Sequence, residues 1–275
     1  MSDDERIRAE VRAFADRDGT LRAAILAGRP IDPDLADRVE MLEFRDRADL
    51  VDLGFVASLP RLRWLDLVGT GVRDLAPLAA ASRLEHLSLT RSAVGDLTPL
   101  AHLPALAELI LGRTAVTDLT PLAGSATLRR LDLGETPIGD LAQLGMLPRL
   151  TVLDIGNAPA LRRIDLTGFP ALETLVGVSV GEATAWPATF PATLRELIIG
   201  DAAWPEGRPL PDLPRLITPD WRLIDDGAAC SHSFEFWRLV CGDEGREAAG
   251  EAARWKAPEA AISADDPDGR GHRGG

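Results

Sequence analysis

Tyrosine is absent from this chain, lysine occurs once, at Lys256, and cysteine twice, at Cys230 and Cys241. Two thiols in 275 residues cannot build the disulfide framework of a small secreted domain, so a reduced pair is expected. No apolar run reaches the roughly 18 residues that span a bilayer, which excludes a transmembrane helix. The start, MSDDERIRAEVR, is charged where a secretory signal needs an apolar stretch, and a cytoplasmic protein is expected. Positive charge is short as well: 43 acids face 30 bases, for a net charge of -13. That balance argues against nucleic acid and against anionic membrane surfaces as partners. Chemical motifs are also missing. The chain holds no G-x-x-x-x-G-K-[ST], no G-x-G-x-x-G, no H-E-x-x-H and no C-x-x-C. Cys230, His232 and Cys241 fall short of the four closely spaced ligands of a structural zinc site. No metal and no cofactor is expected.

What is abundant is leucine at fixed intervals. Leu62, Leu84, Leu106, Leu128, Leu150, Leu172 and Leu194 stand 22 residues apart. Leu65 to Leu197 and Leu67 to Ile199 repeat the same step, with Gly177 the one break in the third column. Val39, Leu42 and Phe44 make an earlier copy offset by one residue, and Leu216 is expected to continue the first column in a degenerate last copy, with Pro219 in place of the second leucine. In L-x-L the two leucines point one way and the residue between them the other. One such strand cannot bury its apolar face alone. Copies stacked at ~4.8 Å make a parallel sheet with a continuous leucine core behind it.

The segments between strands repeat too. Residues 70–78 match 92–100, 114–122 and 136–144. In each, one Val or Ile and two leucines are expected to enter the core from the convex side. Asp74, Asp96, Asp118 and Asp140 suit the start of a short helical turn, with proline accepted early in it. A carboxylate that recurs in every unit reads as scaffold, not chemistry.

LPRLRWLDLVGTGVRDLAPLAA and LPALAELILGRTAVTDLTPLAG resemble the leucine-rich repeat family, in the short 22-residue class of the bacterial internalin-type proteins. The resemblance covers about residues 39–222. It implies an α/β leucine-rich repeat solenoid: a curved, right-handed parallel sheet with short 3-10 or irregular convex segments. It also implies a role in binding other proteins. The family usually has Asn just after the strand, tying neighbouring turns together. Here Thr70, Ser92, Thr114 and Thr136 stand there, and a hydroxyl ladder can bond backbone groups less fully. After residue 156 the pattern changes, and Leu161, Ile164 and Leu166 read as an extra extended segment on the convex side.

A solenoid needs covers at both ends. Residues 1–38 read as a helical N-terminal cap, with Ile7, Val11 and Phe14 on one stripe. Residues 223–256 read as a C-terminal cap and 257–275 as a disordered tail.

The residues between the leucines carry the functional reading, because the core does not explain them. One column runs Met41, Trp64, His86, Glu108, Arg130, Val152, Thr174, Glu196, Thr218. The next runs Glu43, Asp66, Ser88, Ile110, Asp132, Asp154, Val176, Ile198, Asp220, and Arg91, Arg113, Glu135 and Asn157 lie just past the strands. Trp64, Asp66, His86, Ser88, Glu108, Arg130 and Asp132, with Arg91 and Arg113 at the rim, are expected to line an exposed concave face that binds a protein or peptide. Trp and Arg are enriched at binding hot spots. The alternative is an enzyme or enzyme subunit, a hydrolase or ligase that uses the repeats for substrate recognition. Ser88, His86 and Asp66 come close enough for a triad, but an open sheet offers no oxyanion donors and no water-excluding pocket. A non-enzymatic interaction module is the expectation.

Overall fold

The computed structural model describes residues 21–178, 180, 184–199, 211 and 213–217. The N-terminal stripe of Ile7, Val11 and Phe14, the whole C-terminal cap and tail, and Cys230, His232 and Cys241 lie outside the described residues. Two short helices, α1 (21–26) and α2 (Pro33–Ala36), come first. Asp32 caps α2 by accepting the Asp34 N–H, with proline in its first turn. Nine short strands follow in the described residues: β1 (Met41–Glu43), β2 (Trp64–Asp66), β3 (His86–Ser88), β4 (Glu108–Ile110), β5 (Arg130–Asp132), β6 (Val152–Asp154), β7 (Thr174–Gly177), β8 (Glu196–Ile199) and β9 (Arg215–Ile217). They form one parallel sheet in chain order.

The pairing aligns the leucine columns as their spacing predicts. Leu65 sits opposite Leu87, Leu87 opposite Leu109, and so on to Leu175 opposite Leu197. Leu42 joins the same row despite its offset. The leucines of all three columns are buried almost completely. On the other side of the core, 3-10 turns start at Gly54, Ala76, Thr98, Thr120 and Leu141. Each of the last four buries its leucines beneath Val72, Val94, Val116 or Ile138 of the same unit. The repeated aspartate holds this turn. Oδ1 of Asp74, Asp96, Asp118 and Asp140 accepts the N–H two residues on, at 2.8 to 2.9 Å. Beyond residue 156 the 3-10 turn gives way to an extended segment. Arg163 pairs with Ala185, and Leu161, Ile164 and Leu166 are buried, as expected.

Three details depart from the repeat logic. Leu216 does not continue the first column; it pairs with Leu197 of the second. In the expected register Pro219 would stand in the ladder, and proline has no N–H to give it. The last described strand therefore slips so that Leu216 and Ile217 take those places. Gly177, the gap in the third column, is filled by a neighbour instead: a Cβ there would lie 2.6 Å from Trp186 Cη2. The hydroxyl ladder, finally, does not tie turn to turn. Thr70 and Thr114 donate to the carbonyls of Leu67 and Leu111 in their own turns, both at 2.7 Å, and Thr136 donates likewise to Leu133. The turns are joined by backbone. The N–H groups of Asp46, Gly69, Arg91, Arg113, Glu135 and Asn157 each donate to a carbonyl of the next turn, at 2.7 to 2.9 Å.

Candidate interaction surface

The first and third residues of strands β1 to β8 point away from the leucine core, onto the outer face of the sheet. Parallel, in-register pairing then lines up unlike residues from successive strands. In the first column Trp64 stands beside His86, His86 beside Glu108, and Glu108 beside Arg130. These four make one continuous line of contacts. The rings of Trp64 and His86 stack with centroids 3.4 Å apart and planes 7° from parallel. His86 Nδ1 lies 2.9 Å from Glu108 Oε2, and Glu108 Oε1 lies 3.7 Å from Arg130 Nη1. Burial pushes the Glu108 carboxyl up, but the hydrogen bond from His86 and the charge of Arg130 outweigh it and hold it below its ordinary value.

The second column is organised differently. Asp66 accepts from Arg45 Nε at 2.8 Å and from the Val68 N–H at 3.0 Å. Arg45 also contacts Glu43 at 2.9 Å, which closes a small charged cluster at the β1 end. Arg45 was legible as a face residue, since it lies two residues beyond Glu43 and alternation keeps it on the same side. Asp132 takes no part in the Trp64 line. It stands opposite Asp154 on the next strand. Burial pushes its carboxyl up to about 6, with Glu135 adding to the effect against the hydrogen bond from the Gly134 N–H. Ser88 is opposite Asp66, as expected, but among the described residues it makes no hydrogen bond to His86. His86 Nδ1 is turned to Glu108, and Asp66 is turned to Arg45.

The rim residues follow from turn geometry. Asp46, Arg91, Arg113, Glu135 and Asn157 all have left-handed backbone, with φ between 53° and 59°. Recurrence in successive turns marks this as the way the chain leaves each strand. Gly69 holds the same place in the second unit, with φ 66°. A Cβ there would lie 2.6 Å from Asp46 Oδ1. Its absence leaves room for the Asp46 carboxylate, which Arg91 grips at 2.9 Å from two units away. Arg113 is paired with Glu135 at 2.8 Å.

One expectation is corrected. The face is not solvated along its length. Met41 and Trp64 retain 55% and 36% of their exposure, but Asp66, His86 and Ser88 keep only 3 to 4% and Asp132 keeps 8%. The exposed end of the face is the β1–β2 end. Among the described residues no cluster of three or more His, Cys, Asp or Glu side chains is placed to hold a metal ion, and no helix is long and apolar enough to cross a membrane.

No family model matches the sequence, and no curated protein matches it. Solved structures do match. An internalin from Listeria monocytogenes superposes with a TM-score of 0.51 at 20% identity, over 68% of this chain and 62% of that one. The chain thus spans about three-fifths of that internalin's length. Internalin C2 of the same organism gives 0.45 at 20% identity, over 64% of this chain and 89% of that one. TLR13, in its complex with ssRNA13, gives 0.42 at 19% identity, over 57% and 26%. At such identities the first likeness is one of fold.

Proposed function

We propose that this internalin-like leucine-rich repeat solenoid is a non-enzymatic interaction module that takes a protein or peptide partner on the outer face of its sheet. The observation that carries the reading is the Trp64, His86, Glu108 and Arg130 line. Four successive strands each contribute a different kind of side chain, and the register joins them into one prearranged unit. A surface already held in place loses less conformational freedom when a partner binds. The exposed Trp64 and Met41 supply apolar contact, and Arg130 and Glu108 supply charges of both signs. Arg91 and Arg113 stand at the rim. The resemblance to leucine-rich repeat proteins implies protein partners as a class, and the net charge of -13 weighs against nucleic acid. Affinity capture from source lysate tests the proposal. The intact chain should retain a partner that a chain carrying Trp64→Ala with Arg130→Ala loses, while both remain folded by circular dichroism. Equal retention by the two chains contradicts it.

A further inference from the structure

We propose that Asp132 and Asp154 are a proton-sharing pair that makes the middle of the sheet responsive to pH: the folded protein holds a proton there, and losing it loosens β5 against β6. The two residues are register partners on neighbouring parallel strands, on the same face. Each Oδ1 accepts a backbone N–H two residues on, from Gly134 and Gly156, at 2.7 Å. These bonds turn both carboxylates the same way. They flank the bare Cα of Gly134, lying 3.1 and 3.8 Å from where a Cβ would stand. Buried Ile110 and Val176 close the column on either side, and buried Val152 stands beside it.

Among the described residues no ion pair reaches either carboxylate. On β4, Glu108 is engaged with His86 and Arg130, and Arg113, just past that strand, is paired with Glu135. On β5, Arg130 faces Glu108, and Glu135 adds negative charge near both aspartates. β6 brings Val152 and the uncharged Asn157. On β7, Thr174 bonds to Glu196 of β8 at 3.3 Å. Two neighbouring carboxylates, Asp132 buried and Asp154 half-buried, with no cation paired to either among the described residues, cannot both ionise at little cost. Burial, and then the charge of Asp132, lift Asp154 well above its ordinary value, in step with Asp132.

The direction of the effect follows from proton linkage. In the unfolded chain both groups titrate near 3.8, whereas in the folded chain Asp132 titrates at about 6. The folded state therefore binds the proton more tightly. The stability it contributes is present at acid pH and is lost as pH rises through about 6. Asp96, Asp118, Asp165 and Glu108 are held below their ordinary values and act in the opposite sense, but only at more acid pH. The same proton sets the charge that β5 and β6 present on the outer face.

The test uses the full chain, with carbon-13 at aspartate Cγ, titrated by NMR beside Asp154→Asn. Urea midpoints are measured for both at about pH 5 and about pH 7.5. In the native chain one aspartate should titrate near 6. The Asp132 shift alone should lower the folding equilibrium constant between the two pH values by about tenfold, and Asp154 adds to that fall. In Asp154→Asn the fall should shrink, because the carboxyl that burial and the charge of Asp132 lift is gone. Histidine contributions are common to both chains and cancel in the comparison. If every aspartate titrates near its ordinary value in the native chain, or if Asp154→Asn leaves the fall unchanged, the proposal is wrong. Should the variant not fold, the native titration alone decides.

Discussion

The two sides of the sheet are built from the same strands and obey opposite rules. On the core side one residue type recurs at a fixed step, and any unit could stand in for its neighbour. On the outer side the first column changes from strand to strand through β5, and Trp64, His86, Glu108 and Arg130 meet one another in series. Repetition is the mark of a scaffold, because every unit must solve the same packing problem. Variation held in register is the mark of a specific surface. Substitutions on the two sides should accordingly fail in different ways.

The largest loss is expected in the core. Leu109, fully buried on β4, has leucine neighbours on both sides. Leu109→Ala should cost about 2–5 kcal/mol in denaturant unfolding. Exposed Arg129→Ala, in the next unit, should cost less than about 0.5 kcal/mol. Equal midpoints for the two would break the comparison at its base. Gly177→Leu comes next and sharpens it. It restores the leucine that the spacing calls for, but Trp186 already occupies the place. Overpacking by about 1–3 kcal/mol is expected, where a simple consensus argument expects a gain.

A smaller effect separates two residues of one column. The Thr136 hydroxyl is buried and bonded to the Leu133 carbonyl, whereas Ser92 Oγ is buried and, among the described residues, has no hydrogen-bond partner. Thr136→Val should cost about 0.5–1.5 kcal/mol in thermal or urea unfolding. Ser92→Ala should be neutral or slightly stabilising in the same assay, because it removes a polar group that gains nothing from burial. A loss for Ser92→Ala equal to that for Thr136→Val would show that the column acts as a ladder after all.

How much of this could be read from the sequence divides along the same line. The leucine spacing was enough for the sheet, its register from β1 to β8, the convex turns and the change after residue 156, because each is a periodic solution to burying one apolar face. It misled at Leu216. Pro219 marked the last copy as degenerate, but a fixed period does not say that the strand shifts its register to avoid it. It was also silent on Trp186, whose place beside Gly177 depends on the path of an irregular segment. On the outer face, alternation correctly assembled Trp64, His86, Glu108 and Arg130 and put Arg91 and Arg113 at the rim. It missed the partnership of Arg45 with Asp66 and the isolation of Asp132 beside Asp154. Residue order tells which side chains are neighbours, but not which of several neighbours a charged group turns toward.

The central claim is that the varied face, and not the convex side, meets the partner. The most direct measurement is a binding titration of the captured partner against Trp64→Ala, Arg130→Ala and the convex-side Arg73→Ala. Truncating a true hot spot typically costs at least about 2 kcal/mol, or about thirtyfold in affinity. Trp64→Ala and Arg130→Ala should each weaken binding on that scale, and Arg73→Ala should leave it unchanged. A loss for Arg73→Ala as large as that for Trp64→Ala would contradict the account.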